Sequence, residues 1–207
     1  MTRRTGVVRA YGPLLVVAVV LLGLLGGCGY LVDRQLRKPS AYEGDLGSGA
    51  VFSKVCGRWG RKSFPQAAAL SAKGPHPVEV FLTSKGQNSY HPAYLRTNGN
   101  PLPAAWRERD ERKIQLIACA SQSGTGEQVR SCHFDEPSPR EVPMYAAEYE
   151  VKVYEARTAK LVGSGTIRAG RDTGCPSLHV YREDDTPKLY STPTFEQYRE
   201  TIGSHVG

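Results

Sequence analysis

Residues 145–156, Tyr-Ala-Ala-Glu-Tyr-Glu-Val-Lys-Val-Tyr-Glu-Ala, decide the fold class of this chain. Every second residue is apolar or aromatic and the residues between are mostly charged: Ala147, Tyr149, Val151 and Val153 alternate with Glu148, Glu150, Lys152 and Tyr154. A period of two is typical of a strand with one buried face and one face in water. The pattern therefore predicts a long strand whose wet face carries Tyr154.

Further strands are predicted on both sides of this one. Residues 161–169 follow a short turn at 157–160, which predicts an antiparallel hairpin. Residues 114–121 are apolar on both faces, which predicts a central strand, and Ser-Gly-Thr-Gly at 123–126 predicts that 128–134 pairs back on it as a second hairpin. Residues 78–82 and 178–182 complete the predicted strands.

Two segments are predicted to be helical, a short one at 65–72 and a better-defined one at the C-terminus. There Thr192 is the predicted cap, and Phe195, Tyr198 and Ile202 form an apolar stripe that ends at Gly203. The chain is therefore predicted to be mainly β, an antiparallel β-sandwich or rolled sheet with a short C-terminal helix, stapled by disulfides.

The N-terminal segment, residues 1–32, is predicted to direct export and to anchor the chain in a membrane. Arg3, Arg4 and Arg9 precede an apolar run at 13–27, the charged and apolar regions of an export signal. Leu-Gly-Gly-Cys at 25–28 resembles a bacterial lipobox, which would make Cys28 the lipidated first residue. The apolar run also continues to residue 32, so an uncleaved transmembrane helix is the alternative.

Composition and charge limit the possibilities for the remainder. Residues 33–52 are rich in turn formers and predict a flexible tether, which leaves 53–207 as one extracytoplasmic β-rich domain. Without the three N-terminal arginines the chain has 24 basic and 20 acidic residues, a net charge of +4. That balance, with no recognised basic motif, argues against a nucleic-acid partner.

Four cysteines remain beyond Cys28: Cys56, Cys119, Cys132 and Cys175. An even number in an exported domain predicts two disulfides, for which three connectivities exist. In the predicted hairpin closed by residues 124–127, Cys119 lies opposite Cys132, which favours Cys119–Cys132 and, by elimination, Cys56–Cys175.

No short motif indicates a metal, a cofactor or catalysis, and no such residues are assigned. The chain has no Cys-x-x-Cys and no histidine pair at zinc spacing, so a thiol–histidine metal site is disfavoured. His133 and Asp135 could orient one another as part of a hydrolytic site, but Gly-x-Ser-x-Gly and Ser-x-x-Lys are absent from the sequence. A calcium site at 183–185 lacks spaced oxygen ligands.

The C-terminal half resembles a group of uncharacterised exported proteins of actinobacteria. The resemblance rests on residues 149–158, Cys175-Pro176, Tyr190 and Pro193-Thr194, and extends to 74–77 and 114–119. It implies an envelope location and two disulfides, and it implies no activity. Ala159 departs from the group, which tends to have glycine there. Glycine suits a left-handed turn residue, so either alanine costs about 1 kcal/mol at this position or the turn differs.

The sequence thus predicts a membrane-anchored extracytoplasmic domain with a non-catalytic binding or structural role in the cell envelope. A protein or glycan of the envelope is the expected partner. Two alternatives stay open: an envelope hydrolase whose site is assembled from distant residues, and a lipoprotein that binds a small molecule or a metal. A deep apolar cavity would favour the last of these, and converging Ser, His and Asp side chains would favour the hydrolase. A flat, tyrosine-lined sheet would favour the contact role.

Overall fold

The computed structural model describes residues 38–57, 60–95, 97, 99–136, 138–177 and 187–207. Within it Pro39–Gly207 forms one compact unit. This unit begins earlier than the predicted boundary near Phe52, because Ser40 pairs with Lys62 and Leu46 is buried. Residues 39–52, predicted as tether, are therefore part of the domain. The predicted anchor with Cys28 and the predicted strand at 178–182 lie outside the described residues.

The domain is built on one six-stranded sheet, so the prediction of a mainly β fold with a terminal helix and disulfides is confirmed. Its strand order is β4-β3-β5-β6-β7, and β8 pairs with β6 beyond the end of β7. The sheet is mixed, since β3 runs parallel to β5 and β8 runs parallel to β6. A separate pair joins the short β1 and β2. The strands are β1 Ser40–Ala41, β2 Lys62–Ser63, β3 Val78–Thr83, β4 His91–Pro92, β5 Leu116–Phe134, β6 Arg140–Glu155, β7 Leu161–Ala169 and β8 Leu189–Tyr190.

The hairpin of β6 and β7 is confirmed. Tyr149 pairs with Ile167 and Val151 with Gly165, antiparallel. Its turn ends at Ala159, which has φ of +55° and donates its backbone N–H to the Glu155 carbonyl at 2.8 Å. The left-handed conformation for which glycine is favoured is therefore present at Ala159.

The second predicted hairpin, at 123–126, is wrong. β5 continues through those residues as a single 19-residue strand, and the chain reverses only after Phe134. The pairing of β5 with β6 shifts register after Gln122, Thr125 and Gln128, so the glycine-rich stretch makes bulges rather than a turn. A Cβ at Gly126 would lie 3.0 Å from the Ala146 Cβ, which explains the need for glycine on this side of the ribbon.

Both faces of the sheet are covered where β3, the start of β5 and the end of β6 run together. One face packs under the C-terminal helix and Trp106. The opposite face packs under a 3₁₀ helix, Gly49–Val55, and the segment that carries Phe64. Tyr154 belongs to this second core and is only 5% exposed, with the Arg61 guanidinium 4.7 Å from its ring centroid. The prediction that Tyr154 faces water is therefore wrong, because a further layer covers that face.

The C-terminal helix α1, Phe195–Val206, packs on β7 with the predicted stripe buried. Its cap is Thr194 rather than Thr192, in a capping box with Gln197, and Gly203 lies within the helix rather than at its end. The helix approaches β7 closely, since a methyl group at Gly165 would collide with the Thr201 Cγ2.

No α-helix forms at 65–72, where the described chain has only a turn. Phe64 and Ala67 are buried in the second core, and the Ala67 N–H donates to the Phe64 carbonyl at 2.9 Å. The conformation of this segment is thus determined by the burial of individual side chains and not by a helical repeat. Short 3₁₀ helices, Ala104–Trp106 and Glu111–Lys113, occupy the charged stretch before β5.

All four cysteines of the domain form disulfides, but the predicted pairing is wrong. Cys56 bonds to Cys119, and Cys132 bonds to Cys175. Cys119 lies opposite Lys152 and Cys132 opposite Val142, because β5 does not fold back on itself. Each bond therefore ties a segment outside the regular strands to β5.

Candidate functional site

A groove of about 820 Å³ lies at the N-terminal end of α1. Four parts of the chain meet there: Tyr94 and Thr97 at the rim, Met144 of β6 at the base, residues 172–176, and the stretch from β8 into the first turns of α1. Leu189 and Tyr190 supply an apolar and an aromatic side chain to it. The volume lies in the range of roughly 300–1,000 Å³ that is typical of small-ligand sites.

One wall of the groove, residues 172–176, is fixed although it has no regular secondary structure. The Cys132–Cys175 bond holds it to β5. The Thr173 hydroxyl donates to the Thr192 carbonyl at 2.7 Å, which holds it to the segment before α1. A wall held at two points keeps its shape without a ligand, which lowers the entropic cost of binding.

The start of α1 forms a second wall, which the capping box orders. The Gln197 side-chain oxygen accepts from the Thr194 N–H at 3.0 Å, and its amide nitrogen donates to the Arg168 carbonyl at 2.9 Å. Gln197 is therefore committed to the fold. Glu196 and Glu200, one helical turn apart, also line the groove.

Three carboxylates thus face the groove: Asp172, Glu196 and Glu200. None of them makes a hydrogen bond or an ion pair with another described residue, and the described lining includes no lysine or arginine. The helix dipole favours Glu196 in the first turn. It gives no such support to Glu200, and like charges four residues apart on a helix repel.

His133 was the base considered for a hydrolytic site, and the structure places it between two carboxylates. Its Nδ1 lies 3.1 Å from the Glu141 carboxylate and its Nε2 lies 3.1 Å from the Asp135 carboxylate. The hydrogen bond to Glu141, which has the larger effect, and the hydrogen bond to Asp135 both raise the pKa of His133. With a carboxylate on each ring nitrogen the imidazolium is favoured, so neither nitrogen is free to accept a proton from a nucleophile.

Ser71, His76 and Gln115 form a second polar cluster. The Gln115 side-chain oxygen accepts from the Ser71 N–H at 3.1 Å and lies 3.0 Å from the His76 Nδ1, which makes Nδ1 the protonated nitrogen. The Ser71 hydroxyl donates to the Lys73 carbonyl at 2.7 Å. The Ser71 hydroxyl oxygen also lies 3.3 Å from the His76 Nδ1. While Nδ1 donates to Gln115 it cannot accept the serine proton, and the cluster stabilises the chain segment before β3.

Metal binding finds no support in the described ranges. No group of three or more His, Cys, Asp or Glu side chains there is arranged to hold a metal ion, and the four thiols are consumed in disulfides. His179 and the acidic residues 183–185 lie outside the described residues.

The sequence patterns did not reveal the groove carboxylates or Glu79 of β3. Burial, and then the nearby Glu111, raise the pKa of Glu79, which makes no hydrogen bond or ion pair to another described residue. In the sequence, Glu79 alternates with Val78 and Val80, a pattern that indicates an ordinary solvent-facing residue of a strand. For the groove, the spacing of Glu196 and Glu200 was the one available signal.

No protein-family model, curated protein or solved structure matches this chain. Among the described helices, none is long and apolar enough to cross a membrane.

Proposed function

We propose that this protein is a membrane-anchored, extracytoplasmic binding domain that acts by contact rather than by catalysis, with its ligand in the groove at the start of α1. The observation that carries the proposal is the groove itself, with one wall cross-linked to β5 and three carboxylates that pair with no described residue. Binding sites typically combine such a preformed concavity with aromatic side chains and a few polar groups.

The arrangement of the histidines supports contact over hydrolysis. Both ring nitrogens of His133 face carboxylates, and the His76 Nδ1 is a donor to Gln115. A hydrolase that uses serine or cysteine needs a neutral base beside the nucleophile. The His76 Nδ1 lies 3.3 Å from the Ser71 hydroxyl oxygen, but in the tautomer that donates to Gln115 it cannot act as that base.

The proposed location outside the cell rests on the N-terminal segment and on the disulfides. Disulfides persist in oxidising compartments, and two of them hold this domain. The arginine-flanked apolar run and Cys28 support an anchor, and the resemblance to exported actinobacterial proteins supports the envelope.

A photo-crosslinking amino acid in place of Tyr94 tests the binding site in the full chain in its native membrane. Tyr94 is 82% exposed at the groove rim, and the same replacement at Lys113, exposed and outside the groove, is the matched control. Discrete adducts from position 94 alone, reduced when Tyr190→Ala is added, are expected. Equal adducts from both positions, or no adduct at position 94, would refute the site.

Hydrolase and transferase substrate panels test the contact mechanism on the same membranes. Turnover that disappears in His133→Ala or Asp135→Ala would refute it and establish the hydrolase alternative.

The anchor is tested separately with Cys28→Ala. Loss of acyl labelling and of processing would establish a lipoprotein, whereas an unchanged, membrane-bound chain would establish an uncleaved helix. Recovery of the intact protein in the soluble cytosolic fraction would refute both forms of anchor.

A further inference from the structure

The charge on the groove restricts what it can bind. The chain as a whole carries a formal charge of +7, yet the charged side chains described in the groove lining are Asp172, Glu196 and Glu200, all negative. An anionic ligand such as a phosphate or a nucleic acid would be repelled. A ligand with positive charge would relieve the repulsion between the two glutamates of α1.

The chemistry of this lining suits guanidinium groups. Glu196 and Glu200 lie on one wall, Asp172 lies on the disulfide-held wall, and Tyr190 lies in β8 between these segments of the chain. A guanidinium binds a carboxylate through two parallel hydrogen bonds and also stacks on an aromatic face. An ammonium group is a point charge that gains less from such a surface.

We propose, resting on the function proposed above, that the groove binds an arginine-bearing peptide segment of another envelope protein. The backbone of such a segment enters between the two walls, and its arginines reach the carboxylates from the open side. The committed hydrogen bonds of Gln197 and Thr173 keep the walls in place. Within the described lining, the three carboxylates make no hydrogen bond or ion pair and so are available to the partner.

The test uses the full chain in nanodiscs of neutral phosphatidylcholine, so that arginines do not bind the lipid. The probe is a fluorescent peptide, Gly-Arg-Ser-Arg-Gly-Arg, followed by anisotropy, with the glutamine-for-arginine peptide as a matched control. We expect the arginine peptide to bind and the glutamine peptide to bind at least tenfold more weakly, with affinity that falls as salt is raised.

Variants then locate the binding. Asp172→Asn, Glu196→Gln and Glu200→Gln are each expected to weaken binding by up to about fivefold, the upper range for exposed ion pairs. Glu127→Gln, an exposed carboxylate on β5 outside the groove lining, is expected to have no effect. Near-equal loss in the Glu127→Gln variant would show non-specific attraction and overturn the inference.

Three outcomes separate this inference from the function on which it rests. If the arginine peptide fails to bind, or binds no better than the glutamine peptide, the inference is wrong. If a neutral chitin hexasaccharide binds the groove instead, the inference is wrong but the binding function stands. If the crosslinker at position 94 also finds no partner, both fail.

Discussion

The core under α1 contains two buried tyrosines, Tyr149 and Tyr198, at which replacement by phenylalanine is expected to change the free energy of unfolding in opposite directions. The Tyr149 hydroxyl donates to the Ser191 carbonyl at 3.0 Å. The Tyr198 hydroxyl, on a side chain that is 1% exposed, has no hydrogen-bond partner among the described residues. Burial raises the pKa of Tyr149 to about 12, and burial together with Tyr149 raises the pKa of Tyr198 further. Each hydroxyl therefore stays neutral, and hydrogen bonding alone distinguishes them.

Tyr198→Phe removes a buried polar group without a partner, so we expect the free energy of unfolding to rise by about 1 kcal/mol, within the roughly 1–3 kcal/mol cost of such groups. Tyr149→Phe breaks a hydrogen bond and leaves the Ser191 carbonyl without that donor, so we expect a loss of about 1 kcal/mol. For a domain of this size each kcal/mol corresponds to a shift of roughly 2–4 °C in Tm.

Urea unfolding of oxidised 39–207, followed by tryptophan fluorescence, measures both changes. Trp106 is a local probe, since its ring packs edge-on against Phe195 of α1 at 5.3 Å. The slope of the free energy of unfolding against urea concentration should be the same in both variants, because neither substitution changes the surface exposed on unfolding. A loss of stability in Tyr198→Phe would refute the reasoning by showing that this hydroxyl does have a partner, and Tyr198→Phe with Ser191→Ala would identify it through non-additivity.

Three further predictions concern the other packing and charge features. Gly165→Ala should destabilise the domain by about 1–3 kcal/mol in a thermal melt, because its methyl meets Thr201, and Thr201→Ser should restore part of the loss; no recovery would contradict the proposed collision. Glu79→Gln should be more stable than the wild type at neutral pH and equal to it near about pH 4. The reason is that the pKa of Glu79 is raised in the folded protein, so ionisation of this carboxyl destabilises the fold as pH rises through that pKa. A difference in stability between variant and wild type that stays constant with pH would exclude titration as the cause. By NMR, His133 should titrate above 6.5, and Glu141→Gln should lower its pKa. The stability contributed by the His133–Glu141 ion pair is present below the pKa of histidine in the unfolded chain, and it is lost as pH rises through the pKa of His133 in the folded protein.

Local periodicity was sufficient for the elements whose neighbours lie close in the sequence. The alternation in 145–156 and the short turn after it predicted the β6–β7 hairpin, and the stripe at Phe195, Tyr198 and Ile202 predicted α1. In both elements the predicted stripe packs into the core under α1, which is the situation that periodicity reports. The start of α1 was displaced by two residues because Thr192 and Thr194 both have capping side chains, and only Thr194 is followed at the third position by Gln197.

Where long-range contacts decide, the same reasoning failed. Ser-Gly-Thr-Gly at 123–126 is compatible with a turn and with bulges, and the choice depends on β6 passing alongside with Ala146 against Gly126. Tyr154 belongs to a polar-looking face, but the layer that covers it comes from residues about 90 or more positions earlier in the chain, such as Phe64 and Phe52. Alternation shows which residues share a face and cannot show what lies over that face.

The groove was beyond prediction for the same reason. Its parts come from the loop around Tyr94, from β6, from 172–176 and from the start of α1, and only the folded sheet brings them together. Their residue types are common on surfaces, so none stands out in a sequence. The capping motif at 194–197 was visible, but it reports a helix start and not the side chains opposite it.

The disulfide pairing follows once β5 is known to be a single strand. Cys119 and Cys132 then lie on one strand, separated by roughly 40 Å of extended chain at about 3.3 Å per residue. A disulfide needs Cα atoms about 4.4–6.8 Å apart, so these two cannot bond without folding the strand back. Each must take a partner from outside the sheet, and the one near the start of β5 takes Cys56, which packs with it under the 3₁₀ helix layer. Cys132 therefore bonds to Cys175. This second cross-link fixes the groove wall and lies outside the two cores on the faces of the sheet.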